Sequence, residues 1–263
     1  MRSPPYPSDL TDEQWSLLEP LVPSAAENCR PRKTDLREVV NALFYLNRAG
    51  CPWRMLPRDF PPWRTVYNYF EGWRDDGTWA RIVTELRKQV RVATGHPPTP
   101  SAGSIDSQSV KAGGPGEQHG TDGGKLIKGG KRHIVVDTMG LLLAVVVTAA
   151  NVDDAKGAKA VLKQLAAQDF PRLELLWADN KYHTYALEEW LAENGRFTIQ
   201  VVSRPKGSRG FVLLPKRWVV ERSLAWLGRY RRNSKDYERL TESSAVMIQI
   251  SMIQLMLHRL KPS

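Results

Sequence analysis

The sequence predicts an α/β protein in which a mixed sheet flanked by helices follows a small all-α domain. In the first 95 residues apolar side chains recur at helical spacing. From residue 104 onward, short apolar runs typical of strands alternate with helical stretches. The intervening segment His96-Pro-Pro-Thr-Pro-Ser-Ala-Gly cannot continue a helix. We therefore divide the chain into a helical domain (1–95), a linker (96–103) and a sheet domain (104–263).

Four helices are predicted in the first domain. Thr11 with Gln14 three residues later is a capping-box pattern, which begins a helix that Pro20 and Pro23 end. Apolar residues then recur at helical spacing over three further stretches, at 35–48, 63–74 and 78–90. Gly50 is a typical stop after the second helix.

The second and third of these helices are candidates for a helix-turn-helix that recognises DNA ends. Arg64, Asn68 and Arg74 would then face the DNA. Residues 1–95 nevertheless carry 14 basic and 12 acidic residues, an excess of only two positive charges. A packing role for the aromatic side chains of these helices is therefore the favoured interpretation, and recognition of DNA ends stays a hypothesis.

The second domain begins with a strand predicted over 104–107. A glycine-rich segment over 113–130 is predicted to be a mobile loop, and the apolar runs at 131–137 and 141–148 form a hairpin. The remaining elements are a helix at 153–168, strands at 173–178 and 197–202 on either side of a helix at 183–193, and closing helices at 216–229 and 243–259. This order, β-ββ-α-β-α-β-α-α, predicts the mixed sheet.

The charge of the chain indicates a polyanionic partner. The net charge is +10 and the pI is about 9.7, values that favour nucleic acid or an anionic membrane surface over a merely soluble basic protein. Residues 204–239 hold eleven Lys or Arg and three acids, so that 11 − 3 = +8 of the net charge lies there.

No membrane or secretory signal is recognised. The longest apolar run, at 141–150, is about half of the ~20 residues that a membrane span needs. The N-terminus lacks the apolar core of a signal peptide. Cys29 and Cys51 form no metal-binding or redox motif. We expect a protein of the cytoplasm with reduced thiols.

Three carboxylates form the candidate site. Asp106 and Asp179 end predicted strands, and two such strands as neighbours lie about 4.8 Å apart. Glu221, on a basic helix, would complete a site for two Mg²⁺ ions that act on a phosphate ester. In the ordinary alternative, the aspartates form turns or cap helices and Glu221 pairs with Arg217 on a solvated helix.

Seven segments of the chain resemble the DDE transposases of bacterial insertion sequences. They are Tyr6-Pro-Ser-Asp-Leu-Thr-Asp-Glu-Gln-Trp, Gly50-Cys-Pro-Trp-Arg-Met-Leu-Pro, Trp63-Arg-Thr-Val-Tyr, Ile105-Asp-Ser-Gln-Ser-Val-Lys, Gly130-Lys-Arg-His-Ile-Val-Val-Asp-Thr-Met-Gly-Leu, Trp177-Ala-Asp-Asn-Lys-Tyr and Arg217-Trp-Val-Val-Glu-Arg-Ser-Leu-Ala-Trp-Leu-Gly-Arg-Tyr-Arg-Arg. The resemblance covers nearly the whole chain. It implies an RNase H-like catalytic domain after a short helical N-terminal domain.

The resemblance also implies the activity. Asp106, Asp179 and Glu221 would be both the catalytic residues and the ligands of Mg²⁺, for which Mn²⁺ substitutes. Water would cut one strand at each transposon end, and the freed 3′-hydroxyl would join target DNA. Double-stranded DNA is thus the expected partner, bound by a homodimer, in a bacterial cytoplasm near the nucleoid. The signature Tyr-x2-Arg-x3-Glu-x6-Lys is met only by Arg217 and Glu221, because Leu214 and Gly228 replace its first and last residues.

Several basic residues are candidates for DNA contacts: Arg217, Arg222, Arg229, Arg231, Arg232, Lys131 and Arg132. For Lys131 and Arg132, a solvated basic loop is an equally good interpretation. His133 in the same run is expected to be a phosphate contact or a surface residue. Trp218 and Trp226 are expected to be core anchors, with stacking on a base as the alternative.

Three rival functions remain open at this point. A metal-dependent nuclease of the same fold would cut DNA without joining it. A DNA-binding descendant of a transposase would have lost catalysis, although all three acids are present. The protein could also be a basic module that only binds nucleic acid. Mutation of Arg231 and Arg232 would then change the salt dependence of binding and nothing else.

Overall fold

The computed structural model describes residues 5–23, 33–114, 118–194, 196–203 and 216–262. Cys29, Leu214 and the basic residues Arg204, Lys206 and Arg209 lie outside the described residues. The chain forms two compact units. The first comprises Met1–His96, Gly228–Ser234 and Val246–Ser263, and the second comprises Pro97–Leu227 and Lys235–Ala245. The predicted sheet domain included 228–234 and 246–263, whereas by their contacts these segments group with the helical residues.

The first unit contains the four predicted helices. They are α1 (Asp12–Leu18), α2 (Leu36–Ala49), α3 (Trp63–Asp75) and α4 (Thr78–Ala93). The capping box is present, since the Thr11 hydroxyl accepts from the Gln14 N–H and the Gln14 side chain accepts from the Thr11 N–H. Gly50 ends α2 with φ of 73°, and a Cβ there would lie 2.9 Å from Cβ of Arg231. Glycine is therefore required at Gly50 by both conformation and space.

A buried polar network explains why chain segments far apart in sequence join this unit. Asn47 of α2 donates to the Ser251 hydroxyl at 2.8 Å, and Asn233 donates to the same oxygen at 2.7 Å. Ser251 belongs to α8 (Thr241–Leu260). All three residues are buried, and buried polar groups are strongly disfavoured unless they are bonded. The network therefore holds α2, α8 and the segment around Asn233 in one arrangement.

The second unit is built on a mixed sheet flanked by helices. Its strands are β1 (Ala102–Lys111), β2 (Gly120–Asp122), β3 (Ile127–Asp137), β4 (Leu142–Ala149), β5 (Leu175–Ala178) and β6 (Thr198–Val201). Its helices are α5 (Asp154–Ala166), α6 (Tyr185–Asn194) and α7 (Trp218–Leu227).

The pairing of these strands gives the order of the sheet within the described residues. β1 pairs antiparallel with β3 and parallel with β5, and β5 pairs parallel with β6. Both β2 and β4 pair antiparallel with β3. The predicted α/β class with a mixed sheet is confirmed. One core of the unit lies between the sheet and α5, where Ile105, Val135 and Leu162 are fully buried.

The prediction of a loop throughout 113–130 was wrong for part of that segment. β2 forms within it, and β3 begins at Ile127 instead of residue 131. A Cβ on Gly129 would collide with the backbone of Val110 and Ala112, and one on Gly130 would lie 2.7 Å from Oδ2 of Asp236. The glycines here allow close approach of neighbouring chain, a role of glycine that composition cannot distinguish from loop flexibility.

The basic run at the start of β3 is buried, which corrects its interpretation as a DNA-contacting loop. Lys131 is 6% exposed and its Nζ donates to the carbonyl of Val152 at 2.8 Å. Arg132 is 4% exposed. Burial lowers its pKa to about 10, although the negative charge of Asp236 acts to raise it. Side chains this deeply buried cannot reach DNA, so Lys131 and Arg132 are not among the proposed DNA contacts.

His133 is also buried, contrary to the expectation of a surface residue. Its ring is fully buried against Gly157 of α5, and its Nε2 lies 3.0 Å from the Thr148 hydroxyl. Burial lowers the pKa of His133 to about 4, although the negative charge of Asp154 acts to raise it. A histidine kept neutral in the fold is a source of acid sensitivity.

Acid should destabilise the protein through His133. Between pH 6.5 and about pH 4 the unfolded chain takes up a proton that the folded protein refuses, so the free energy of unfolding falls as pH falls. The full effect is about 3 kcal/mol, reached below pH 4 and absent above pH 6.5. A His133→Gln variant, assayed by urea unfolding from pH 7 to pH 4, should show a shallower decline. His96→Gln, which changes an exposed histidine, serves as control, and equal slopes in the two variants would contradict the prediction.

Candidate active site

The sheet places Asp106 and Asp179 side by side. β1 and β5 are parallel neighbours, with Ser104 opposite Trp177. Two residues further along both strands are Asp106, within β1, and Asp179, directly after β5. Because side chains alternate along a strand, residues two apart lie on the same face. The two carboxylates therefore share one face at adjacent strands.

Helix α7 brings Glu221 to the same place. The hydroxyl of Ser104 donates to the carbonyl of Lys216 at 3.1 Å, which fixes the start of α7 on β1. Further along, the Ser223 hydroxyl donates to the carbonyl of Gly140 at 2.8 Å. Gly140 has φ of 81°, and a Cβ there would lie 2.6 Å from that hydroxyl. These contacts hold α7 against the sheet with Glu221 in its first turn.

One guanidinium contacts all three carboxylates. Nη2 of Arg217 lies 3.1 Å from Oε1 of Glu221 and 3.9 Å from Oδ2 of both Asp106 and Asp179. The side chains of the two aspartates are 16% and 18% exposed, that of Arg217 is 16% exposed, and that of Glu221 is 42% exposed. The site is thus half enclosed and opens toward solvent at Glu221.

Backbone N–H groups orient both aspartates. The N–H of Ser107 donates to Oδ1 of Asp106 at 2.7 Å, and the N–H of Lys181 donates to Oδ1 of Asp179 at 2.9 Å. Burial raises the pKa of Asp106 to about 6, although the Ser107 N–H and the charge of Arg217 both act to lower it. A nearby positive charge stabilises the ionised form of such a buried carboxylate.

The chemistry of this donor set suits a divalent cation. Carboxylate oxygens are the ligands that Mg²⁺ prefers, and a bound ion would keep clustered acids ionised. In the part of the chain that the structure describes, no three His, Cys, Asp or Glu side chains stand close enough to share one ion. Arg217 lies among the three acids, so metal binding would require its guanidinium to withdraw.

The other predicted DNA contacts differ in exposure. Within the second unit, the Arg222 guanidinium lies 4.4 Å from the ring centre of Trp218 and 4.6 Å from that of Trp226, and it donates to the carbonyl of Met139 at 3.0 Å. Within the first unit, Arg232 is buried and donates to the carbonyl of Cys51 at 2.9 Å. Arg229 and Arg231 are exposed.

Sequence reasoning missed four residues that surround the acids. Tyr182 is buried, and burial together with the charge of Asp106 raises its pKa well above the ordinary value. Ser107, Asp154 and Lys181 form contacts beside Asp106 and Asp179. No sequence motif distinguishes Asp154 from its neighbour Asp153, because both follow a strand and begin a helix.

Comparison with known proteins identifies the family. A family model described as "Transposase DDE domain" matches residues 97–256, which is more than half of the chain. The chain belongs to the DDE transposase family. A second model, described as "Putative transposase of IS4/5 family", matches residues 10–83 of the helical part. The RNase H-like α/β fold expected of these transposases agrees with the mixed sheet described above.

Individual relatives of the chain match over shorter stretches. A "Putative transposase for insertion sequence element IS402" of Burkholderia cepacia is 30% identical over 128 residues, which are 46% of this chain and 60% of the relative. The "Uncharacterized protein y4sN" of Sinorhizobium fredii is 28% identical over 80 residues, covering 30% of this chain and 64% of the relative. The chain thus spans about three fifths of the length of these curated relatives.

Within the described residues, every helix is too short or too polar to cross a bilayer.

Proposed function

We propose that this transposase cuts DNA at insertion-sequence ends and joins the freed 3′-hydroxyl to target DNA, with Asp106, Asp179 and Glu221 as ligands of two Mg²⁺ ions that Mn²⁺ can replace. The observation that carries the proposal is the convergence of the three carboxylates on Arg217. Three acids from two neighbouring strands and a helix meet at one cation, on a protein of net charge +10. This combination suits a phosphate polymer as substrate.

The residues of the chain have separate tasks in this proposal. When bound, divalent ions activate the attacking oxygen and stabilise the leaving one. Ser107 and Lys181 keep the two aspartates oriented through their backbone N–H groups. The Arg217 guanidinium moves from the acids to a DNA phosphate, because its planar set of N–H donors can bind two phosphate oxygens.

DNA outside the reacting phosphate would be held by exposed basic residues. Arg229 and Arg231 are the exposed members of the predicted contact set. In the helical unit, Arg64 and Asn68 are exposed on α3, whereas Arg74 pairs with Asp75 at 2.8 Å. We propose that α3 contributes to the binding of transposon ends. Two ends would be brought together by a homodimer acting in a bacterial cytoplasm, at the nucleoid.

The joining reaction distinguishes a transposase from a nuclease of the same fold. A labelled DNA duplex carrying a pre-cut transposon end with a free 3′-hydroxyl is mixed with a supercoiled plasmid, the protein and Mg²⁺. We expect the label to appear on plasmid that has become relaxed or linear, because the end is already cut and only strand transfer remains. Nicking of DNA without transfer of label would favour the nuclease, and binding alone would favour a DNA-binding descendant.

A further inference from the structure

The first residue of α5 connects the two segments that carry the catalytic aspartates. Oδ1 of Asp154 accepts a hydrogen bond from the hydroxyl of Ser107 at 2.9 Å, and its Oδ2 lies 3.7 Å from Nζ of Lys181. Ser107 directly follows Asp106, and Lys181 comes two residues after Asp179. The Asp154 side chain is only 15% exposed, so protein contacts replace most of its contact with water.

Ser107 and Lys181 each make two contacts of the same kind. Each donates its backbone N–H to a catalytic aspartate, at 2.7 Å for Ser107 and 2.9 Å for Lys181. Each also directs its side chain to Asp154. Asp154 is therefore one residue removed from both carboxylates, by two separate routes. A change at Asp154 would reach Asp106 and Asp179 together.

Lys131 holds Asp154 in place from the other side. Its Nζ lies 3.1 Å from Oδ1 of Asp154, donates to the carbonyl of Val152 at 2.8 Å and lies 4.0 Å from Oδ2 of Asp122. The Lys131 side chain is 8% exposed. An ammonium buried among two acids and a carbonyl has little freedom, because leaving any partner would expose an unpaired charge to the interior. Asp154 is thus attached to a rigid part of the sheet.

We infer that Asp154 is a positioning residue that sets the Asp106 and Asp179 carboxylates for divalent metal, acting through Ser107 and Lys181. The inference rests on the proposed function, since it concerns the same metal site. If Asp154 only stabilised the fold through Lys131, its loss would lower the melting temperature and leave metal affinity unchanged. Mutation of a residue that holds a metal ligand in place typically lowers metal affinity by about 10- to 100-fold.

The test is a Mn²⁺ titration of the full chain without DNA, read from the electron paramagnetic resonance signal of free Mn²⁺. Asp154→Asn keeps the size of the side chain and an acceptor for Ser107 but loses the charge that faces Lys181 and Lys131. We expect the Kd for Mn²⁺ to rise about tenfold. The matched control is Asp153→Asn, because Asp153 is the N-cap of the same helix and its side chain accepts from the N–H of Ala155. Asn caps helices as well as Asp does, so this variant should stay within about twofold of the wild-type protein.

Lys181→Met keeps the inference testable if Asp154→Asn folds poorly. The Lys181 side chain is 54% exposed, so its replacement should barely affect folding. We expect the Kd to rise several-fold, and the double variant to be no worse than Asp154→Asn alone, because both changes act along one route. Wild-type affinity in Lys181→Met, or in a folded Asp154→Asn, would overturn the inference. Separately, if Asp179→Asn bound Mn²⁺ as tightly as the wild-type protein, the proposed metal site itself would be wrong.

Discussion

An Asp179→Asn variant is expected to lose both cleavage of transposon ends and joining to target DNA, by at least about 1,000-fold, or about 4 kcal/mol of transition-state stabilisation. Asp179 faces Arg217 at 3.9 Å and accepts the N–H of Lys181 at 2.9 Å. Asn keeps the shape and one oxygen, so the fold should survive, but it removes a negative charge from the proposed ligands of two divalent ions.

The measurement separates catalysis from binding. Cleavage and joining are followed on labelled end fragments, and binding of the same fragments is followed by gel shift. We expect the gel shift to be retained, since the basic residues proposed to hold DNA are untouched. Asp169→Asn, at an exposed aspartate of the same unit, is the matched control and should react like the wild-type protein. Strand transfer by Asp179→Asn at a rate near that of the control would contradict the assignment of Asp179 to the catalytic site.

An Arg217→Gln variant is expected to be less stable without divalent metal and to be rescued by it. Arg217 contacts three carboxylates, so its loss leaves three negative charges facing one another. Removing one partner of a fully buried pair costs about 3–5 kcal/mol. Here the groups are partly exposed, and we expect a loss of about 1–2 kcal/mol in the free energy of unfolding.

The decisive observation for Arg217 is the response to Mg²⁺. Without the guanidinium among the acids, an ion no longer has to displace it, so Mg²⁺ should bind the variant more tightly and raise its melting temperature more than that of the wild-type protein. Melts in EDTA and in millimolar Mg²⁺ measure both effects. Arg196→Gln, at an exposed arginine of the same unit, should respond to Mg²⁺ as the wild-type protein does. An equal Mg²⁺ response in Arg217→Gln would show that the guanidinium and the ion do not compete.

Local signals explain why the helices were predictable. The Thr11–Gln14 capping box and the stop at Gly50 depend on residues within one or two turns, and both are present in the structure. The mixed sheet was likewise predicted from alternating strands and helices, and it is confirmed. The three acids were different, because position alone did not separate them from turn and cap residues. Their assignment came from the resemblance of the surrounding motifs to a family.

Other features depended on contacts between distant residues. Lys131, Arg132 and His133 look like a solvated basic run in sequence, yet all three are buried on β3, which is paired along both edges and packs against α5 through His133. The glycines before them reflect close packing rather than flexibility. Residues 246–263 group with the helical unit, where a polar network around Ser251 binds them to α2, and no local pattern records this.

By itself, the sequence determined the fold class, the helices with their caps, the excess of positive charge and the family motifs, because each of these depends on residue type and short-range spacing. Only the tertiary structure decided that Arg217 lies among Asp106, Asp179 and Glu221, and that Asp154 reaches both aspartate segments. The physical reason is that the interaction of charges depends on distance and burial, and both are set by the packing of α5 and α7 on the sheet.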